Sequence, residues 1–166
     1  PQDPLLNFSN DWVLSTITHL ERAFEQTYKI NKKGFPGLAI GRYPEDVYYG
    51  GNPWFLATNA LAEYYYRLRD ELSSKNSIEL TSMNKKFFAR LVGEDATLSS
   101  NELQITSKLL QELTLKGDSF LERTKIHIGQ DLHSMTEQFH RDHGYQLAAP
   151  DLTWSYASFI TARSIR

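Results

Sequence analysis

The chain is 166 residues long, about one domain's length, with 40% hydrophobic and 23% charged residues, an ordinary globular composition. A net charge of −2 with no Lys/Arg cluster argues against a nucleic-acid partner, because nothing could neutralise a phosphate backbone. Cysteine is absent, which excludes a disulfide framework and any Cys-based metal site, and no apolar stretch approaches the roughly 18 residues of a membrane span.

The chain starts at Pro1-Gln2-Asp3-Pro4 with no initiator Met and no charged leader before an apolar segment, and reads as a mature form or an excised piece. Asn7-Phe8-Ser9 is a glycosylation sequon, a weak pointer to secretion because single sequons arise by chance. Ser9 or Asn10 caps a first helix that carries Val13, Ile17, Leu20, Phe24 and Tyr28 at helical spacing, ended by the Lys, Gly and Pro of Asn31 to Pro36. Asn52 then reads as an N-cap, with Pro53 at the first helical position, for a second helix through Leu56, Ala60, Leu61, Tyr64 and Leu68 to about Leu72. Ser73 to Ser77 is a polar connection, and Thr81 to Leu91 reads as a short helix with Met83, Phe87, Phe88 and Leu91 inward. Ser99 or Ser100 caps a helix bearing Leu103, Ile105, Leu109, Leu110 and Leu113, which breaks near Lys116-Gly117-Asp118 before a further helix from Ser119 through Ile128. Gly129 to Pro150 lacks a helical period and is loop or short hairpin, and Asp151 caps a last helix from Leu152 to about Ser164. The pattern is all-α, with no repeat and no β-rich segment longer than a few residues.

Two segments stand outside this helical pattern. Gly41-Arg42-Tyr43-Pro44-Glu45-Asp46-Val47-Tyr48-Tyr49-Gly50-Gly51-Asn52-Pro53-Trp54 crowds planar donors, carboxylates and rings into a Gly/Pro-rich loop. Ser134-Met135-Thr136-Glu137-Gln138-Phe139, followed by Asp151-Leu152-Thr153-Trp154-Ser155-Tyr156, is the second. Sugars pack their C–H faces on aromatic rings and present hydroxyls to planar hydrogen-bonding groups, so such loops suit a carbohydrate. Each precedes a helix, so in a layered helical assembly the two share one end.

Each candidate has a plainer explanation. Arg42 is either a surface or capping arginine or a flat fork for two adjacent hydroxyls. Trp54 and Trp154 lie in the first turns of helices, where tryptophan is more often core than platform. Glu137 is an ordinary loop glutamate unless an ionised carboxylate there polarises water. His127, His133, His140 and His143 crowd together, and the spacing of three between His140 and His143 makes a metal site conceivable, but the segment is loop-like and His127 and His133 share no evident face, so they read as solvated or structural histidines, with no metal. No dinucleotide, P-loop, zincin or serine-hydrolase motif occurs.

Taken together, Gly41 to Asp46, Tyr48 and Gly51-Asn52-Pro53-Trp54 resemble the arginine-bearing loop of the glucoamylases (glucan 1,4-α-glucosidases). Ser134 to Gln138 and Asp151 to Ala157 resemble that family's base loop and closing helix, in the same order, with Trp154 seventeen positions after Glu137. The resemblance runs from about Ser9 to the end and is thin across 75–117. It implies an (α/α)6 barrel of which residues 1–166 form a C-terminal fragment of the catalytic domain, about four of twelve helices. It implies an inverting, exo-acting hydrolase that releases β-D-glucose from starch, glycogen or maltooligosaccharides, with no cofactor. By resemblance Glu137 is the general base, Arg42 binds hydroxyls of the terminal glucose, Tyr48 and Trp154 pack on the sugar and Trp54 lines the pocket.

Inverting chemistry needs a second carboxyl about 6.5–9.5 Å from the base. The family's acid lies in a Trp-Glu-Glu context that does not occur here, and its first Arg-Asp clamp has no match either. The expected partner is therefore the remainder of the parent domain, a monomer when complete, with no nucleic acid and no membrane. The family implies secretion, with a vacuolar or other internal location as the alternative. Uncovering even five large apolar side chains at about 1.5–3 kcal/mol each would exhaust a domain's stability of about 5–15 kcal/mol, so the chain alone is expected to be poorly folded and inactive. The competing class is a non-catalytic carbohydrate-binding or regulatory helical domain.

Overall fold

In a computed structural model of the chain, residues 7–93, 100–129 and 134–166 are described. Helix α1 spans Asp11–Thr27, and Asn10 is its cap, its side-chain oxygen accepting from the Trp12 N–H at 2.9 Å. The buried stripe is Leu14, Thr18, Glu21 and Phe24, with Val13, Ile17 and Leu20 only half-buried beside it. The apolar period thus pointed one position off, because a carboxylate occupies a core place. Glu21 is satisfied there by the Tyr65 hydroxyl, by Lys116 at 3.0 Å and by Arg90 at 3.5 Å. A short 3-10 turn, Lys29–Lys32, follows.

Helix α2, Phe55–Ser73, is the central element, buried along most of its length and packed on the two later helices Ser107–Ile128 and Thr153–Ile165. The expected side-chain cap does not form. Asn52 lies before the helix and Trp54 is the capping residue, extended and without a side-chain cap bond. The first helical N–H, that of Phe55, donates instead to the Glu137 carbonyl at 3.3 Å. Ala60, expected inward, is exposed.

Strand β1 (Ser77–Glu79) pairs antiparallel with β2 (Glu102–Gln104), Ile78 opposite Leu103, so the segment expected to open a helix is an edge ribbon. Helix α3 is shorter than expected, Lys85–Val92. Ser99 lies outside the described residues, and Ser100 shapes the turn into β2. Helix α4 runs unbroken through Ser107–Ile128, capped by Thr106, whose hydroxyl oxygen accepts from the Leu109 N–H at 3.2 Å. Gly117 is no break. A Cβ there would stand 2.5 Å from the Tyr66 ring, so the glycine lets α4 approach α2. Strands β3 (Gln138–Phe139) and β4 (Gln146–Leu147) form a hairpin before α5, Thr153–Ile165.

The core is contiguous and rich in rings, with Tyr65 stacked between Phe87 and Phe120, each 5.9 Å away. Arg123 of α4 is fully buried, its guanidinium donating to the carbonyls of Pro36 at 2.9 Å and Gly37 at 2.7 Å, which pins the loop after α1. None of the described helices is long and apolar enough to cross a membrane.

Candidate functional site

The arginine loop is shaped from within. Asp46 is buried and accepts two bonds from Arg42, from Nε and Nη2, each 2.7 Å, and a third from the Tyr48 N–H at 2.9 Å. The hydrogen bonds from Arg42 hold the Asp46 carboxyl below the usual carboxylate range, and the same pairing raises Arg42 further. With Nε and Nη2 occupied by Asp46, Nη1 is the edge of the fork left to other acceptors. Gly51, at φ 62°, is obligatory, since a Cβ would fall 1.7 Å from the Asp46 carbonyl oxygen.

Rings surround the guanidinium. Arg42 lies 4.8 Å from the Tyr48 ring centre and 5.5 Å from that of Trp54, and Trp54 is 5.9 Å from Trp154. Trp54 is nearly buried, whereas Tyr48 and Trp154 are 51% and 47% exposed. Trp154 is therefore open to solvent rather than part of the core, and Trp54 is the ring against which Arg42 and Trp154 lie.

The base loop joins this arrangement through backbone. Trp54 forms an antiparallel bridge with Gln138, the Phe139 N–H donates to the Pro53 carbonyl at 3.1 Å, and the Phe55 N–H to that of Glu137. Glu137 is half-buried, and its carboxylate accepts from Gln138 Nε2 at 3.0 Å. Asn52, misassigned as a cap, donates to the Tyr49 carbonyl at 2.6 Å and to Gln138 Oε1 at 3.4 Å and accepts from the Arg141 N–H. Arg141 adds bonds to the carbonyls of Gly50, Gly51 and Thr27.

The closing helix is tied in by Ser155, whose hydroxyl donates to the Thr136 carbonyl at 2.8 Å, and by the Leu152 N–H bonded to Met135. Asp151 does not cap α5. It sits at φ 47° and accepts from Ser134 and Tyr156, both 2.7 Å, bonds that hold its carboxyl low. Of the five residues marked from sequence, Arg42, Tyr48, Trp54 and Trp154 lie together, and Glu137 is joined to them through its backbone bond to Phe55 and the pairing of its neighbour Gln138 with Trp54. The residues that support this arrangement, Asp46, Asn52, Gln138, Arg141 and Ser155, carried no signal of these contacts in the sequence.

His127 is buried and stacks 4.3 Å from Phe139, His140 stacks on Tyr145, and His133 lies outside the described residues. No group of three or more His, Cys, Asp or Glu side chains that could hold a metal occurs among the described residues.

The family profile described as Glycosyl hydrolases family 15 matches residues 2–164. The chain belongs to this family. A glucoamylase of Blastobotrys adeninivorans is 37% identical over 99% of this chain and 28% of its own length. A Saccharomyces cerevisiae glucoamylase named as intracellular and sporulation-specific is 36% identical over 93% of this chain and 32% of its own. Among solved structures, the Hormoconis resinae glucoamylase superposes with a TM-score of 0.87 at 33% identity, covering 99% of this chain and 29% of that one. The family 15 chain described here thus spans about a third or less of the relatives it matches, and its helices are a portion of their (α/α)6 barrel.

Proposed function

We propose that this chain is the C-terminal part of a glucoamylase catalytic domain and forms one wall of its glucose pocket. The complete enzyme releases β-D-glucose from the non-reducing ends of α-1,4-glucans with inversion. The observation that carries this reading is the position of Trp54, which has Arg42 and Trp154 against its ring and Gln138, the neighbour of Glu137, paired to its backbone.

Glu137 acts as general base, taking a proton from the water that attacks the anomeric carbon. Its carboxylate is half-open to solvent and oriented by the Gln138 amide. Arg42, held rigid by Asp46, offers Nη1 to the hydroxyls of the terminal glucose, while Tyr48 and Trp154 present exposed faces to the ring and Trp54 backs them. The acid is not among these groups. A general acid must stay protonated, which requires a carboxyl pushed up, and Asp46 and Asp151 are both held down by their donors. The acid comes from the rest of the parent, and the chain alone does not turn over substrate. Starch, glycogen and maltooligosaccharides are the substrates, and the complete enzyme is a secreted monomer, although one relative's name records an intracellular form.

In the parent enzyme, Glu137→Gln is expected to lower kcat on maltose by about a hundredfold or more with little change in KM, the loss expected for a general base. Proton NMR of the wild-type reaction should show β-glucose first. Unchanged kcat in the variant would favour a non-catalytic carbohydrate-binding role, and initial α-glucose would exclude inversion.

A further inference from the structure

The Glu137 carboxylate accepts from Nε2 of Gln138 at 3.0 Å. An amide has two ends of nearly the same shape, and turned the other way it would set its oxygen against the carboxylate. Gln138 cannot withdraw from this choice. Its side chain is fully buried, its backbone is bridged to Trp54, and its carbonyl accepts from the Thr136 hydroxyl at 2.7 Å.

The group that decides the direction lies in the arginine loop. Oε1 of Gln138 faces Nδ2 of Asn52 at 3.4 Å. Asn52 is only 3% exposed, and two backbone groups fix its own direction. Its Oδ1 accepts from the Arg141 N–H at 3.2 Å, and its Nδ2 donates to the Tyr49 carbonyl at 2.6 Å. Reversed, Asn52 would set donor against donor at Arg141 and acceptor against acceptor at Tyr49. The Tyr49 carbonyl is presented by a backward bend in which Tyr49, Gly50 and Gly51 have φ of 50°, 90° and 62°. A left-handed tyrosine is uncommon and costs free energy, and such residues cluster at functional sites.

We infer that Asn52 is a positioning residue for the base. It fixes the direction of the Gln138 amide, so that a donor and not an acceptor faces Glu137. The donors run one way, from the Arg141 N–H through Asn52 and Gln138 to the carboxylate, and hydrogen bonds aligned like this polarise one another. The inference rests on the reading of Glu137 as general base, and it gives the arginine loop a part in orienting that carboxylate as well as in holding the sugar.

Asn52→Asp keeps the shape of the side chain and removes the donor. A carboxylate at position 52 attracts Nε2 of Gln138, which turns Oε1 onto Glu137. In the parent enzyme this variant should lose at least about tenfold in kcat on maltose with KM within about threefold of wild type, because a charge-assisted bond to the base is replaced by repulsion. Gln138→Met, which fills similar space without an amide, should lose kcat likewise, and adding Asn52→Asp to it should cost less than about threefold more. A purely structural role for Asn52 would make the two losses multiply, since the arginine loop would be disturbed whatever stands at position 138. Multiplying losses, or unchanged kcat in Asn52→Asp while Glu137→Gln is impaired, would overturn the inference and leave the base reading standing. Full turnover in Glu137→Gln would refute the base reading and the inference with it. If the buried charge prevents folding, as judged by circular dichroism, Asn52→Ala is read against the same Gln138→Met background.

Discussion

His127 lies in α4 with its ring stacked on Phe139 and its Nδ1 3.0 Å from the carbonyl oxygen of Gly144, so Nδ1 carries the proton and donates. Nε2 is buried without a partner among the described residues. Burial, aided by the nearby Arg123 charge, depresses the pKa from an ordinary 6.5 to about 4. Folded His127 is therefore neutral where an unfolded chain would take up a proton. Its contribution to stability is complete above about pH 6.5 and is lost as pH falls toward 4, by up to about 3 kcal/mol. His127→Gln, which can keep the donor to Gly144, should flatten this part of the profile. Urea midpoints of the parent and the variant at pH 7 and 4.5 would decide it, and parallel slopes would contradict the assignment. In the sequence His127 was legible only as one of four crowded histidines read as solvated or structural, and its place in the last turn of α4 is what buries it. The clamp of Asp46 on Arg42 was not legible, because a carboxylate in a loop looks the same in sequence whether solvated or buried.

At the scale of elements, existence was easier to read than boundaries. The apolar periods marked α1, α2, α4 and α5, whereas the caps of α2 and α5 were misplaced by the same cause. Asn52 and Asp151 have the chemistry of N-caps, but Asn52 bonds Gln138 and Arg141, Asp151 bonds Ser134, and the α2 terminus is satisfied by the Glu137 carbonyl. Long-range partners of this kind leave no local trace. Gly117 misled for a related reason, since glycine in a helix normally costs about 1 kcal/mol against alanine. Here the cost is accepted for the approach of α4 to Tyr66. Gly117→Ala should therefore lower stability despite its better propensity, because overpacking at about 1–3 kcal/mol outweighs the gain. A measured rise in the parent's thermal midpoint would contradict the contact. In the Tyr66→Ala background the same substitution should become neutral or stabilising, which identifies the ring as the obstacle.

For the molecule as a whole, being only a portion of its relatives' barrel bears on stability and on the proposed chemistry alike. The isolated chain leaves Ile160, Trp154 and Trp12 in water, and fully covering side chains of this kind is worth about 1.5–3 kcal/mol each. Its core nonetheless contains a buried cation, Arg123, and a buried carboxylate, Glu21, that depend on close packing to keep their partners. Losing apolar cover thus also loosens the polar groups inside, since a buried charge separated from its partner costs about 3–5 kcal/mol. On the proposed reading activity is lost for an independent reason, because Asp46 and Asp151, whose donors hold their carboxyls low, are unsuited to deliver a proton to a leaving oxygen. The purified chain should accordingly unfold at lower urea concentration than the parent, and it should release no glucose from maltose even under conditions where it remains folded. Mixing it with the separately produced upstream segment should restore glucose release to the extent that the two associate. Glucose release by the chain alone would show that a carboxyl within it serves as the acid, and would remove the need for any covering segment in the chemistry.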